Sequence, residues 1–180
     1  MILASASPRR RAILEQLGVE FTVEPPEVEE LDSGDPRELV VENALRKARD
    51  RARAGELVLG ADTAVVVDGE PFGKPADREA ARELLRLMSG RAHEVMSGIA
   101  VCDDVAERSD LAVTAVRFRQ LTDAELDWYL DTGEWGEHAG GYAIQKRGAA
   151  LVESIDGDYW NVVGLPVAAL LRLVPALLPR

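Results

Sequence analysis

Leu57-Val58-Leu59-Gly60-Ala61-Asp62-Thr63-Ala64-Val65-Val66-Val67 is a nearly continuous apolar, β-branched run, closed by the turn pair Asp68-Gly69. Its length and flanks predict a central strand buried on both faces of an α/β sheet. One residue breaks the pattern. Asp62 places a carboxylate where an unpaired charge is costly, so it wants a metal, a base or a substrate as partner. An acid at a strand end pairing with a nearby turn is the plainer alternative.

Outward from that strand, short apolar runs alternate with helical patterns, which supports an α/β fold. Residues 2–4 predict a brief strand. Ser7-Pro8 reads as an N-cap with proline at the first helical position, and Gly18 as the residue that ends the helix. Residues 19–23 predict a second strand. Asp35-Pro36-Arg37-Glu38 has the form of a capping box and predicts a long helix to about Ala54. Asp77 caps a third helix that ends at Ser89-Gly90. Strands are expected over 94–101 and 111–118, around an exposed acidic turn at 103–110. Thr122-Asp123-Ala124-Glu125 is a second capping box, opening a helix through Leu130. Residues 133–141 read as a glycine-rich loop. A late hairpin is expected from 149–155, a turn at Asp156-Gly157, and 159–163, with Pro166 opening a terminal helix. No repeat or flexible linker interrupts the chain, so a single domain over 1–180 is expected.

Hydrophobic residues make up 47% and charged residues 29% of the 180, a globular balance. Thirty-two acids against 21 bases give a formal net charge of -11, a field that repels nucleic acid and anionic lipid. A small anion binds such a chain only where bases are gathered locally. Cys102 is the single cysteine and sits in a predicted strand, so it reads as a core thiol. The apolar stretch 162–174 is too short to span a bilayer and contains Arg172. No secretory leader pattern opens the chain, and a cytoplasmic setting is expected.

Three stretches carry candidate chemistry. In Leu3-Ala4-Ser5-Ala6-Ser7-Pro8-Arg9-Arg10-Arg11, a strand turns into a helix N-terminus, whose backbone N–H groups and dipole favour an anion. Arginines there oppose the same dipole, and a bound polyphosphate would account for them. Solvated arginines beside a plain Ser7 cap are an even alternative. Gly60-Ala61-Asp62-Thr63 is the second stretch. The third, Gly73-Lys74-Pro75, is not a P-loop, because Pro75 stands where Ser or Thr is required. The acids Glu27, Glu29 and Glu30 suit magnesium or manganese by hardness but have no diagnostic spacing. His93 and His138 belong to no metal or hydrolase motif, and each reads as a surface or hydrogen-bonding histidine.

Together the segments LASASPRR, EVEE, ENALRKA, GADTAVVVDG, GKP, AGGYAIQ and WNVVGLP resemble the Maf family of nucleoside triphosphate pyrophosphatases, in the family's order from residue 3 to residue 166. The resemblance implies a strongly twisted mixed sheet flanked by helices, with two lobes around a deep cleft. It implies a divalent metal (Mg or Mn), a cytoplasmic enzyme and a homodimer, with a small-molecule nucleoside triphosphate as partner and neither nucleic acid nor membrane. Carried over by position, Asp62 is the proton acceptor that activates water. Ser5, Arg10, Lys47 and Lys74 hold phosphates, Arg9, Thr63 and Gln145 read the substrate, and Glu30 joins Asp62 at the metal. The loop Gly141-Tyr142-Ala143-Ile144-Gln145 and Thr63 match the family's pyrimidine branch, which implies dTTP and UTP as substrates. Two departures stand out: Ala6 replaces a usual glycine, and Lys146-Arg147 follow Gln145 where a small residue is common. The rivals are a nucleotide-sensing regulator of division with little turnover, and a nucleic-acid module using residues 9–11.

Overall fold

The computed structural model describes residues 1–178. The apolar run folds as β3 (Val58–Val67), with residues 58–61 and 64–67 buried and a half-buried break at Asp62 and Thr63. β1 (Ile2–Ala4) runs parallel to β3, pairing Ala4 with Gly60, and β2 (Thr22–Val23) runs parallel to β1. With β4 (Glu70–Phe72), β5 (Ala92–Cys102), β6 (Glu107–Phe118) and β7 (Val152–Asp156) they make one seven-stranded mixed sheet. Its order is β2-β1-β3-β5-β6-β7, with β4 paired antiparallel to the end of β3. Asp68 and Gly69, both at positive φ (53° and 86°), form the two-residue turn between β3 and β4. That pair of left-handed residues matches the twist of a tight hairpin.

The helices start where side chains can satisfy their first free N–H groups. α1 (Pro8–Gln16) is capped by Ser7 and α2 (Pro36–Asp50) by Asp35. α3 (Arg78–Met88) is capped by Asp77, and α4 (Asp123–Leu130) by the reciprocal Thr122–Glu125 box. α5 (Tyr159–Val163) and α6 (Val167–Leu173) are short. Elements end early where the chain is used elsewhere. The Val19 N–H bonds Leu14 O at the end of α1, so β2 is confined to two residues of the expected 19–23. α2 stops at Asp50 rather than Ala54: the Arg51 backbone leaves helical geometry (φ -107°, ψ 5°) and its N–H turns to Ala48 O, while its guanidinium lies on Pro25 O at 2.6 and 2.9 Å.

The described residues divide into two compact units. The first comprises Met1–Thr63, Met96–Ala112 and the described residues from Trp160 onward; the second comprises Ala64–Val95 and Val113–Tyr159. In the first, the small face of α2 (Ala44, Ala48) packs with Ile2, Ala4, Val58, Ala100 and Cys102. Small residues there let a helix backbone lie against the sheet, and Gly60 and Gly98 carry this furthest. A Cβ on Gly60 would meet Ala44 O, and one on Gly98 would meet Val40 O. In the second unit, His93, Phe118 and Tyr142 stack edge to face with centroids 4.8–5.5 Å apart. There too α3 and residues 123–131 are joined by four ion pairs: Arg78–Asp131 at 2.7 Å, Arg78–Asp127 at 3.6 Å, Arg82–Asp127, and Arg86–Asp123 at 2.6 Å.

The expected late hairpin does not form: its first strand begins only at Val152, after a 3-10 helix over Arg147–Leu151, and its second strand is absent. Residues 152–156 form β7, but its partner is β6, and 159–163 are helical as α5. Thr114 explains part of this: its hydroxyl accepts the Asp158 N–H at 3.0 Å and donates to Asp158 O at 3.1 Å, stapling the turn to β6. The Gly164 N–H then closes a helical bond to Trp160 O at 3.0 Å. Residues 133–141 are not featureless either, since they contain short 3-10 turns at Glu134–Glu137 and Ala139–Gly141.

Candidate active site

Two groups of sequence-predicted residues come together in the first unit. The sharp exit from β1 sets Ser5 and Arg10 beside one another. Arg10 is buried, and its guanidinium reaches three ways: Nε to Gly164 O at 2.9 Å, Nη1 to Ser5 Oγ at 3.0 Å, and Nη2 to Thr63 Oγ1 at 3.2 Å. Arg9, half-buried, donates from Nε to Val163 O at 3.2 Å. Burial pushes the Arg10 guanidinium below its ordinary pKa, Asp62 pulls the other way, and neighbouring Arg9 adds to the lowering. Two cations thus lie side by side on a helix start, one of them buried, a setting that favours an anion. Arg11, by contrast, is solvated and pairs with Glu15 one turn along. Ala6 lies outside the positive-φ region, since Asp68 alone among described non-glycines has positive φ, so the departure from glycine costs nothing in backbone strain.

The second group surrounds Asp62. Lys47 of α2 places Nζ 2.8 Å from Asp62 Oδ1 and 2.6 Å from Glu30 Oε1, with its own side chain 7% exposed. Asn43, one turn earlier on the same face of α2, donates from Nδ2 to Asp62 Oδ2 at 3.2 Å. The odd acid of β3 is thus satisfied on both oxygens, and each keeps a further lone pair for another donor. Thr63, the next residue, accepts from Arg10 and so links the two groups, and it shares a 2.9 Å bond with Ser97 Oγ of β5.

Glu30 and Asp62 converge on a single cation, and of the EVEE acids Glu30 is the one on Lys47; Glu27 pairs with Arg51. Among the described residues no set of three or more His, Cys, Asp or Glu gathers. Two carboxylates meeting at one positive charge nonetheless fit magnesium or manganese, which take one or two carboxylates and complete their shell with phosphate oxygens and water.

Lys74 and Gln145 belong to the second unit. Lys74 is exposed, 3.4 Å from Glu137. Gln145 is exposed at the end of a segment pinned from below: the Ala143 N–H donates to Tyr129 Oη at 3.0 Å, and Tyr142 Oη lies 2.9 Å from His93 Nε2. Lys146 and Arg147 are exposed, with the Arg147 N–H on Glu134 at 3.1 Å. His93 is buried and hydrogen-bonded, and Cys102 is a buried thiol raised by desolvation, as expected of a core cysteine. Sequence reasoning missed Asn43, Ser97 and the Val163 and Gly164 carbonyls. The spacing of Asn43 and Lys47 in ENALRKA, four residues apart on one helix face, was a usable signal. A backbone carbonyl leaves none.

A family model described as Maf-like protein matches residues 1–177. The chain is 50% identical over 171 residues to a dTTP/UTP pyrophosphatase of Symbiobacterium thermophilum, covering 93% of this chain and 88% of that one. It is 49% identical over 183 residues to a dTTP/UTP pyrophosphatase of Anaeromyxobacter dehalogenans strain 2CP-C, covering 96% and 92%. It is 43% identical over 180 residues to one of Pyrococcus furiosus, covering 97% and 93%. A solved structure, the Ham1 protein of Staphylococcus aureus, aligns at a TM-score of 0.47 and 18% identity, over 65% of this chain and 70% of that one.

Proposed function

The chain belongs to the Maf family, and from that premise we propose that it hydrolyses dTTP and UTP to the nucleoside monophosphate and pyrophosphate. The observation that carries the reading is the setting of Asp62: a carboxylate inside an apolar strand, held on both oxygens, beside a gathered set of cations in a chain of net charge -11.

Each residue has work consistent with its surroundings. Arg9 and Arg10 receive phosphate oxygens, with Ser5 and Thr63 orienting the Arg10 fork. A triphosphate carries roughly four negative charges, and Arg9, Arg10, Lys47 and Lys74 offer a comparable positive count. Asp62 accepts the proton of a water directed at the α-phosphorus, the pyrophosphate leaves whole, and lysine charge meets the charge that builds on it. Glu30 and Asp62 are the residues that would hold a divalent cation. Such an ion, when bound, neutralises phosphate charge and lowers the pKa of water. Gln145 offers a donor and an acceptor together, which suits the O4/N3 edge of thymine or uracil.

A panel of nucleoside triphosphates with Mg or Mn, read out as pyrophosphate, tests the proposal. Release from dTTP and UTP is expected, and Asp62→Asn abolishes it while nucleotide binding persists. Binding without release from any nucleotide would leave a sensor instead of an enzyme.

A further inference from the structure

Asn43 is 2% exposed in the middle of α2 and makes three hydrogen bonds with its side-chain amide. Its Oδ1 accepts the Leu31 N–H at 2.8 Å. Its Nδ2 donates to Leu31 O at 3.0 Å and to Asp62 Oδ2 at 3.2 Å. We propose that Asn43 is a positioning residue of the reaction: one amide fixes the Glu30-bearing loop and the Asp62 carboxylate relative to each other. This rests on the reading of Asp62 as proton acceptor.

The chemistry narrows the role to a carboxamide. Residues 25–32 form no regular structure, and side chains meet backbone groups there: Asp50 accepts the Glu27 N–H at 3.0 Å and Arg51 donates to Pro25 O. A primary amide has a donor and an acceptor side by side, and with Leu31 it reproduces the paired N–H and C=O contacts of a strand edge. Glu30 directly precedes Leu31, so anchoring Leu31 sets the starting point of the Glu30 side chain. The remaining reach of Nδ2 goes to Asp62 Oδ2, while Lys47 holds Oδ1. A carboxylate held by different donors on its two oxygens cannot rotate freely about its Cβ–Cγ bond, and its orientation toward a water is thereby set. Both donors come from one face of α2, so loop, helix and base move as one piece. A leucine of similar volume would leave the Leu31 N–H, the Leu31 C=O and Asp62 Oδ2 without this partner. An aspartate would still accept from Leu31 but could donate to nothing, and would set a like charge against Asp62.

That asymmetry supplies the test. Asn43→Asp and Asn43→Ala are compared with the unaltered chain for kcat and KM on dTTP and UTP, for Tm, and for hydrogen exchange of the Leu31 amide. Asn43→Ala is expected to lose Leu31 protection and turnover together. Asn43→Asp keeps the acceptor, so Leu31 stays protected, yet kcat falls about 10- to 100-fold with KM within about threefold, as loss of a hydrogen bond to a charged group implies. Turnover within twofold of the unaltered chain in folded Asn43→Asp overturns the proposal, as does a loss matching only the fraction unfolded. Should either variant fail to fold, Asn43→Ser, shorter and uncharged, faces the same criteria. The parent reading fails separately: there Asp62→Asn would keep its turnover, whereas an inactive Asp62→Asn beside a fully active Asn43→Asp removes this proposal alone.

Discussion

Gly60→Ala is a one-methyl change in β3 that touches no proposed substrate group, yet it is expected to disable the site. A Cβ at residue 60 falls inside contact distance of Ala44 O, 2.8 Å from Ala48 N and 3.1 Å from Ala48 Cβ. The first two are backbone atoms of α2 and cannot swing aside as a side-chain tip could. α2 must therefore lift from β3 by about 1 Å to restore ordinary contact, against the close packing of its alanine face. Overpacking of this kind costs about 1–3 kcal/mol. For a chain of this size that lowers Tm by about 2–12 °C. The functional loss is larger in proportion. Asn43 and Lys47 ride on α2 while Asp62 stays on β3, so the 2.8 Å and 3.2 Å bonds to Asp62 stretch together. A misplacement near 1 Å costs about 10²-fold in rate. Pyrophosphate release at saturating dTTP, beside a thermal melt, measures both. A variant that melts within about 1 °C of the parent and keeps full kcat would refute the claim that α2 and β3 are in tight contact at this point.

Gln145→Ala is expected to change discrimination among nucleobases more than turnover on the best one, read as the ratio of kcat/KM across the panel; an equal loss for every base would contradict a reading role. Chelation of divalent ions should abolish pyrophosphate release, with recovery on adding Mg or Mn, and release that persists in chelator would remove the ion from the scheme. His93 bears on stability. Burial pushes its pKa from 6.5 to about 4, so the fold requires the neutral ring while the unfolded chain takes up the proton first. Stability is therefore full above about pH 6.5 and falls as pH drops toward about 4, by about 3 kcal/mol in all. Denaturant unfolding from pH 7 to 4 measures this slope, and His93→Asn should flatten it; an unchanged slope would assign the acid sensitivity elsewhere.

The sheet's central strand and the helix starts were legible because their signals are local. Ser7, Asp35, Asp77 and Thr122 each cap within four residues of themselves, and each cap forms. Asp62 was legible as an anomaly, since a carboxylate among valines has few bland explanations. Where contacts lie far apart in sequence, local reading fails. Tyr159–Val163 carries the aromatic and β-branched residues of a strand, but Thr114, more than forty residues earlier, fixes the turn that makes it helical. β4 went unnoticed because Glu70-Pro71-Phe72 is too short to show alternation, although its Asp68-Gly69 turn was plain. Ser97 looked like an ordinary strand serine, and its value appears only once Thr63 lies 2.9 Å away.

The shortest ion pairs between α3 and residues 123–131 are spaced one turn apart, at 78, 82 and 86 against 131, 127 and 123, so they act as meshed teeth. One helix can roll against the other by small amounts, but sliding by a turn would leave a tooth at each end without its mate. Tyr129 of α4 holds the Ala143 backbone, two residues from Gln145. The edge that would meet a nucleobase is therefore geared to the axial position of α3, and its stiffness is set partly by charge. Salt screens the outer, more exposed of these charges, at the Arg78–Asp131 and Arg86–Asp123 pairs, over about 8 Å at physiological strength. Ionic strength thus becomes a dial on how firmly the base-reading segment is held, quite apart from how it acts on the substrate's own phosphates.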